Sequence, residues 1–162
     1  MKRSAVGDGA GVDVRFEARV PGVSAAWAGR CVRTTLAAER AARGAVSVVV
    51  TDDRRMRALN KRYLKHDYTT DVVSFEADAR GARAGSYLGD VVVCAPYARR
   101  SAAELGIPFK EELARYLVHG TLHLLGHDDL KEPARSRMHR RQETILARVL
   151  GRKPRGWAYE RP

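Results

Sequence analysis

The run VSVVV from Val46 to Val50 sets the tightest limit on what this chain can become. Four of its five residues are β-branched and apolar, which suits a buried strand, and a strand that short is stable only inside a sheet with other elements packed over it. Candidate partners lie on either side. VDVRFEA from Val12 alternates apolar and polar residues as a half-buried strand does, and VVSF from Val72 with YLGDVVVC from Tyr87 to Cys94 form a hairpin-like pair. That pair argues against a purely parallel sheet.

Helical stretches separate these strands. Val23 to Arg43 is rich in Ala, Arg and Leu, with Ser24 placed as N-cap and Gly44 as the stop. Thr51 and Asp52 can cap a short helix reaching Tyr63. Ala95 to Leu105 and Glu111 to Leu125 are helical on either side of Pro108, which discourages continuation. Pro133 opens a last helix to about Leu150, with Ala134, Met138, Ile145 and Val149 on its core side. The order implies an α+β fold (an α/β sandwich): a single domain with one mixed, mainly four-stranded sheet and helices around it. Residues 1–11 and 151–162 are rich in Gly, Pro and charge and are expected to be a flexible N-terminus and a flexible basic tail, with Trp157 docking on the body, leaving 12–150 as the domain.

Composition narrows the function. Lys and Arg number 30 against 19 Asp and Glu, a net charge of +11 that makes a polyanion, above all nucleic acid, the natural partner. The two cysteines, Cys31 and Cys94, sit in apolar surroundings without paired spacing, as in a reducing compartment. The N-terminus lacks the apolar core of a signal peptide and no stretch approaches a membrane span, so a cytoplasmic location is expected. A GxGxxG after a strand, a GxxxxGKS/T loop and a GxSxG elbow are all missing, which leaves nucleotide cradling and serine-hydrolase chemistry without support.

The chemistry concentrates in HGTLHLLGHDD, from His119 to Asp129, which holds three of the five histidines. His119 and His123 are four apart on an expected helix, so both rings reach from one face toward one ion. Gly126 can end the helix in a left-handed turn, and Asp129, three residues on, can face the same ion. His127 competes for the third place but needs a tighter return, so Asp129 is preferred. Three protein ligands leave a fourth position open, as a catalytic site requires. The spacing is similar to that of metzincin proteases, HExxHxxGxxH or D, but their glutamate general base is here Gly120, which disfavours proteolysis by that route.

HGTLHLLGHDD resembles HGxLHLxGYDH, and LNKRYLKHDYTTDVVSF from Leu59 resembles LNxxYRxxDxPTDVLSF. With LGDVVVC from Leu88 and with Glu132, Met138 and Glu143, these segments give the chain, over nearly its whole ordered length, a resemblance to the YbeY family of bacterial endoribonucleases. That resemblance implies a zinc ion held by His119, His123 and Asp129, with the two histidines at the catalytic centre. It also implies metal-dependent cleavage of single-stranded RNA in ribosomal RNA maturation (late-stage 16S-type processing) and ribosome quality control, with ribosomal RNA and the ribosome or its proteins as partners. Two positions depart from the family pattern. Asp129 stands where the third ligand is usually His, which widens the metal choice toward manganese or iron (Mn2+ or Fe2+) behind zinc (Zn2+). Leu64 stands at the Arg of LNxxYR, and Arg62, Lys65 and His66 are the nearby groups able to bind substrate in its place. Thr70, Asp71 and Ser74 are expected to support the site or the backbone, and Asp128 to cap the turn. Two alternatives stay open: a metallohydrolase of another substrate, and a non-catalytic ribosome-associated RNA-binding factor with a structural metal.

Overall fold

The structure, a computed structural model, describes residues 11–77 and 87–156. Most of the N-terminal stretch 1–11 lies outside those bounds, as does Trp157 with the end of the tail. The strands are β1 (Val12–Phe16), β2 (Ala45–Thr51), β3 (Val72–Glu76) and β4 (Tyr87–Cys94). The helices are α1 (Ala25–Ala38), α2 (Asp53–Leu59), α3 (Ala95–Leu105), α4 (Phe109–Leu124) and α5 (Ala134–Leu150). The sheet runs β1-β2-β4-β3, with β3 antiparallel to β4 and the other pairs parallel. This is the α+β fold with a mixed four-stranded sheet that the sequence pattern implies.

The valine run behaves as a buried strand. Val46, Val48 and Val50 of β2 pack with Val91 and Val93 of β4 under α1 and α4, while Val49 and Val92 turn to the other face, where Met56 of α2 covers them. Helix α4 lies at the centre of the helical layer: Leu113, Ala114 and Leu117 meet the sheet side, and Val118 and Leu122 pack on Met138 and Ile145 of α5.

Two helix ends differ from expectation for local reasons. α1 stops at Ala38 rather than Arg43 because Arg40 adopts a left-handed conformation (φ 58°), with Ala41 N–H donating to Leu36 O at 2.7 Å and Arg40 N–H to Ala37 O at 3.1 Å. This is a Schellman ending built on arginine instead of glycine. After α2, the helix that was expected to reach Tyr63 widens into a π-helical turn, Asn60–Leu64, closed by Lys65 in a second left-handed conformation (φ 57°). Asn60 binds this turn to the next loop, its Nδ2 donating to Tyr68 O at 2.9 Å.

One contact sets where α4 sits. A Cβ on Gly120 would lie 2.6 Å from Val91 Cγ1, 3.0 Å from Val72 Cγ2 and 3.1 Å from Ser74 Oγ. Ser74 Oγ also donates to Gly120 O at 2.8 Å. Helix and sheet therefore touch through a residue without a side chain. Gly120→Ala is expected to lower unfolding stability by about 1–3 kcal/mol through overpacking, read by urea denaturation.

Candidate metal centre

The last two turns of α4 and the loop after them bring three donors together. His119 Nε2 and His123 Nε2 lie 3.0 Å apart, and Asp129 Oδ2 is 3.3 Å from the first and 3.5 Å from the second. The donor atoms all fall within 4.8 Å of one another, and the three side chains are partly buried. Gly126, with φ 92°, turns the chain back after the helix, and Asp128 Oδ1 accepts from Leu130 N at 2.9 Å, bending the loop so that Asp129 faces the histidines.

The outer nitrogens of both rings are already committed. His123 Nδ1 lies 3.0 Å from His127 O, and a carbonyl only accepts, so that nitrogen carries the proton. His119 Nδ1 lies 2.7 Å from Gln142 Oε1. Gln142 is oriented in turn by its own Nε2 donating to Glu143 Oε1 at 3.0 Å, and Glu143 is held by Arg115 Nε at 2.8 Å. In the neutral rings both Nε2 atoms are then bare lone pairs, and the Asp129 carboxylate is an acceptor as well. Burial lowers the His119 pKa and opposes protonation of that ring. Three acceptors thus converge with no donor among them. A cation satisfies them, and two imidazoles with a carboxylate form a donor set that zinc accepts.

His127, the competitor for the third place, is directed elsewhere. Its Nε2 lies 2.8 Å from Glu39 Oε2 at the end of α1, and Glu39 also accepts from Arg141 of α5. Its backbone carbonyl orients His123, so His127 steadies the centre from outside. Asp71 accepts from Val72 N at 2.7 Å and from Thr70 Oγ1 at 3.1 Å, serving the backbone at the start of β3.

The centre stands where two hollows meet. One, of about 450 Å³, runs from His119 toward Arg115, Glu112 and Tyr116. The other, of about 750 Å³, runs from His123 and Asp129 toward His66 and Tyr68. Of the three substrate-binding candidates, His66 lines this second hollow; Arg62 and Lys65 are exposed beside it, with the Arg62 guanidinium 5.2 Å from the centre of the Tyr63 ring. Leu64, at the position of the family arginine, is an exposed lining residue.

A family model described as Endoribonuclease YbeY matches residues 19–150. The chain belongs to the YbeY family. An Endoribonuclease YbeY from Persephonella marina is 43% identical over 84 residues, 51% of this chain and 55% of that protein. Another, from Geobacillus thermodenitrificans, is 40% identical over 126 residues, 72% of this chain and 81% of that protein. The chain spans about half the length of the first of these YbeY relatives. The solution structure of TM1509 from Thermotoga maritima aligns with a TM-score of 0.62 over 86% of this chain and 89% of that one, at 20% identity, a likeness of fold.

Gln142, Arg115, Glu39 and Arg141 belong to no local motif in the sequence. A signal for Gln142 was available, since Gln142 and Glu143 interrupt the apolar stripe that Met138 and Ile145 mark on α5. Gln142→Leu is expected to weaken zinc binding by about 10- to 100-fold in competition titration with a chelating dye, and His127→Ala to keep the bound metal that Asp129→Ala loses. Glu112 gives a pH test. Its burial raises its pKa above the usual 4.5, helped by Asp71, Glu143 and Glu111 and opposed by Arg115. The folded chain thus holds a proton there that the unfolded chain releases, so this contribution to stability is full below pH 4.5 and is lost as pH rises through the folded value. In urea denaturation, Glu112→Gln is expected to lose less stability than the parent chain as pH rises from about 4 to about 7.

Proposed function

We propose that the chain is a zinc-dependent endoribonuclease that cuts single-stranded RNA in the cytoplasm, acting in the maturation of ribosomal RNA and in ribosome quality control. The observation that carries the metal dependence is the convergence of three acceptors, His119 Nε2, His123 Nε2 and Asp129 Oδ2, with no hydrogen-bond donor among them. The family supplies the endoribonuclease reading, and the +11 charge supports a phosphate-rich substrate. No helix among the described residues is long and apolar enough to cross a membrane.

His119, His123 and Asp129 would hold the ion. A divalent cation held there would supply Lewis acidity for phosphodiester cleavage. Gln142 and the His127 carbonyl keep both imidazoles in the tautomer that offers Nε2. Two hollows meeting at the centre let a single strand pass with one phosphodiester at the histidines and its neighbours on either side. Arg62 and Lys65 meet flanking phosphates on the outer side, and His66 meets the strand from within the second hollow. Peptide hydrolysis loses further ground, because the contacts around Gly120 leave no room for a glutamate side chain there.

Loss of the family arginine at Leu64 favours one second reading, an RNA-holding factor whose metal is structural. RNA cleavage and zinc content measured together on the parent chain, His123→Ala and Asp129→Ala separate the two. Cleavage of single-stranded but not duplex RNA by the parent chain, falling to background with metal loss in both variants, is the expected result. Equal cleavage by all three proteins would overturn the nuclease reading, and metal binding without cleavage would establish the holding factor.

A further inference from the structure

The π-helical turn and the loop behind it present an aromatic surface that the metal chemistry does not use. Tyr68 is 56% exposed, and its ring stacks on His66 with centroids 5.2 Å apart and planes 26° from parallel. The backbone beneath is fastened. Asn60 Nδ2 donates to Tyr68 O at 2.9 Å, His66 N donates to Asn60 O at 3.2 Å, and Thr69 Oγ1 donates to Asp53 Oδ1 at 3.2 Å. The ring pair is thus held out into water by an anchored loop.

Tyr68 and His66 line the same hollow as His123 and Asp129, and Leu130, 80% exposed, lines it as well. Leu64, 45% exposed, lines it too, at the position where the family pattern has arginine, and the carboxylates of Glu76 and Asp128 share the same lining. A phosphate finds no partner in Leu64 or Leu130 and is repelled by Glu76 and Asp128, whereas the flat face of a base packs on the leucines and the rings. Arg62 and Lys65 belong to the same segment and carry the positive charge that would follow the backbone of a strand, while Asp67, between His66 and Tyr68 in sequence, is paired with Arg57 at 2.8 Å and Lys61 at 3.8 Å. Aromatic faces flanked by basic side chains are how proteins hold unpaired nucleotides.

We propose that the His66–Tyr68 pair is a stacking platform for one unpaired base of the RNA, seated in the hollow that leads away from the metal centre. This rests on the nuclease reading for the identity of the strand. The platform takes over substrate positioning on the side where the arginine is lost, by stacking a base instead of pairing with a phosphate. It selects single strands, because a base in a duplex has no free face to offer.

The test uses zinc-loaded protein and a short end-labelled single-stranded RNA. Affinity is read by anisotropy while a gel shows the RNA intact, and KM and kcat are read from its cleavage. Tyr68→Ala is expected to weaken binding and raise KM by about 5- to 150-fold, the range for one base on an aromatic ring, with kcat and zinc content unchanged. Tyr68→Trp is expected to restore binding. Oligomers lacking the base at one position in turn should include one that costs the parent chain the same factor and costs Tyr68→Ala nothing further. If every such oligomer costs Tyr68→Ala as much as it costs the parent, the platform is wrong even though the nuclease stands. Tyr68-dependent binding without cleavage would leave the platform standing and remove the nuclease. Unchanged RNA binding by Tyr68→Ala, with lost retention of ribosomal proteins, would give this face to a protein partner and overturn the proposal.

Discussion

The contact between Gly120 and the sheet is the constraint on which the rest of the molecule depends. Helix α4 is the central helix of its layer, and it carries both histidines in its last two turns. Because Val91, Val72 and Ser74 press against a residue with no side chain, the helix settles close to β3 and β4, and Ser74 secures it through the Gly120 carbonyl. His119 and His123 sit on either side of that contact along the helix, so their height above the sheet is set by backbone packing rather than by loop conformation. A site on a rigid element holds its geometry better than one built on loops alone.

Two polar chains, running through different helices, then fix how the rings point. From His119 the chain passes through Gln142 and Glu143 to Arg115, joining α4 to α5 and returning to α4. From His123 it passes through the backbone of His127, whose side chain reaches Glu39 on α1 and, through it, Arg141 on α5. Buried polar groups are costly when unpaired, and along these two chains each is paired in a way that leaves the converging Nε2 atoms as the unsatisfied ends. Glu111 extends the network to the start of the tail, where it accepts from the backbone of Arg155 and Gly156 and pairs with Arg152.

Much of this was legible in the residue order. The β-branched run of β2, the alternation in β1 and the 3.6-residue stripe on α5 report burial directly, because each pattern is a record of which face meets the core. The histidine pair and the turn glycine were legible too, since a four-residue spacing and a left-handed turn are local properties. What stayed hidden was pairwise and distant. Nothing near His127 in sequence announces Glu39, and nothing near Gly120 announces Val91. The early end of α1 was hidden for a different reason: a left-handed arginine has no compositional mark, and Gly44 was the conspicuous residue nearby.

The Glu39 clamp spans 88 residues to His127 and 102 to Arg141. It ties the His127 side chain to the end of the first helix and, through Glu39, to Arg141 on the last. The loop that carries Asp129 is thereby moored to both ends of the chain, so where that carboxylate stands is a property of the whole domain and not of the loop alone.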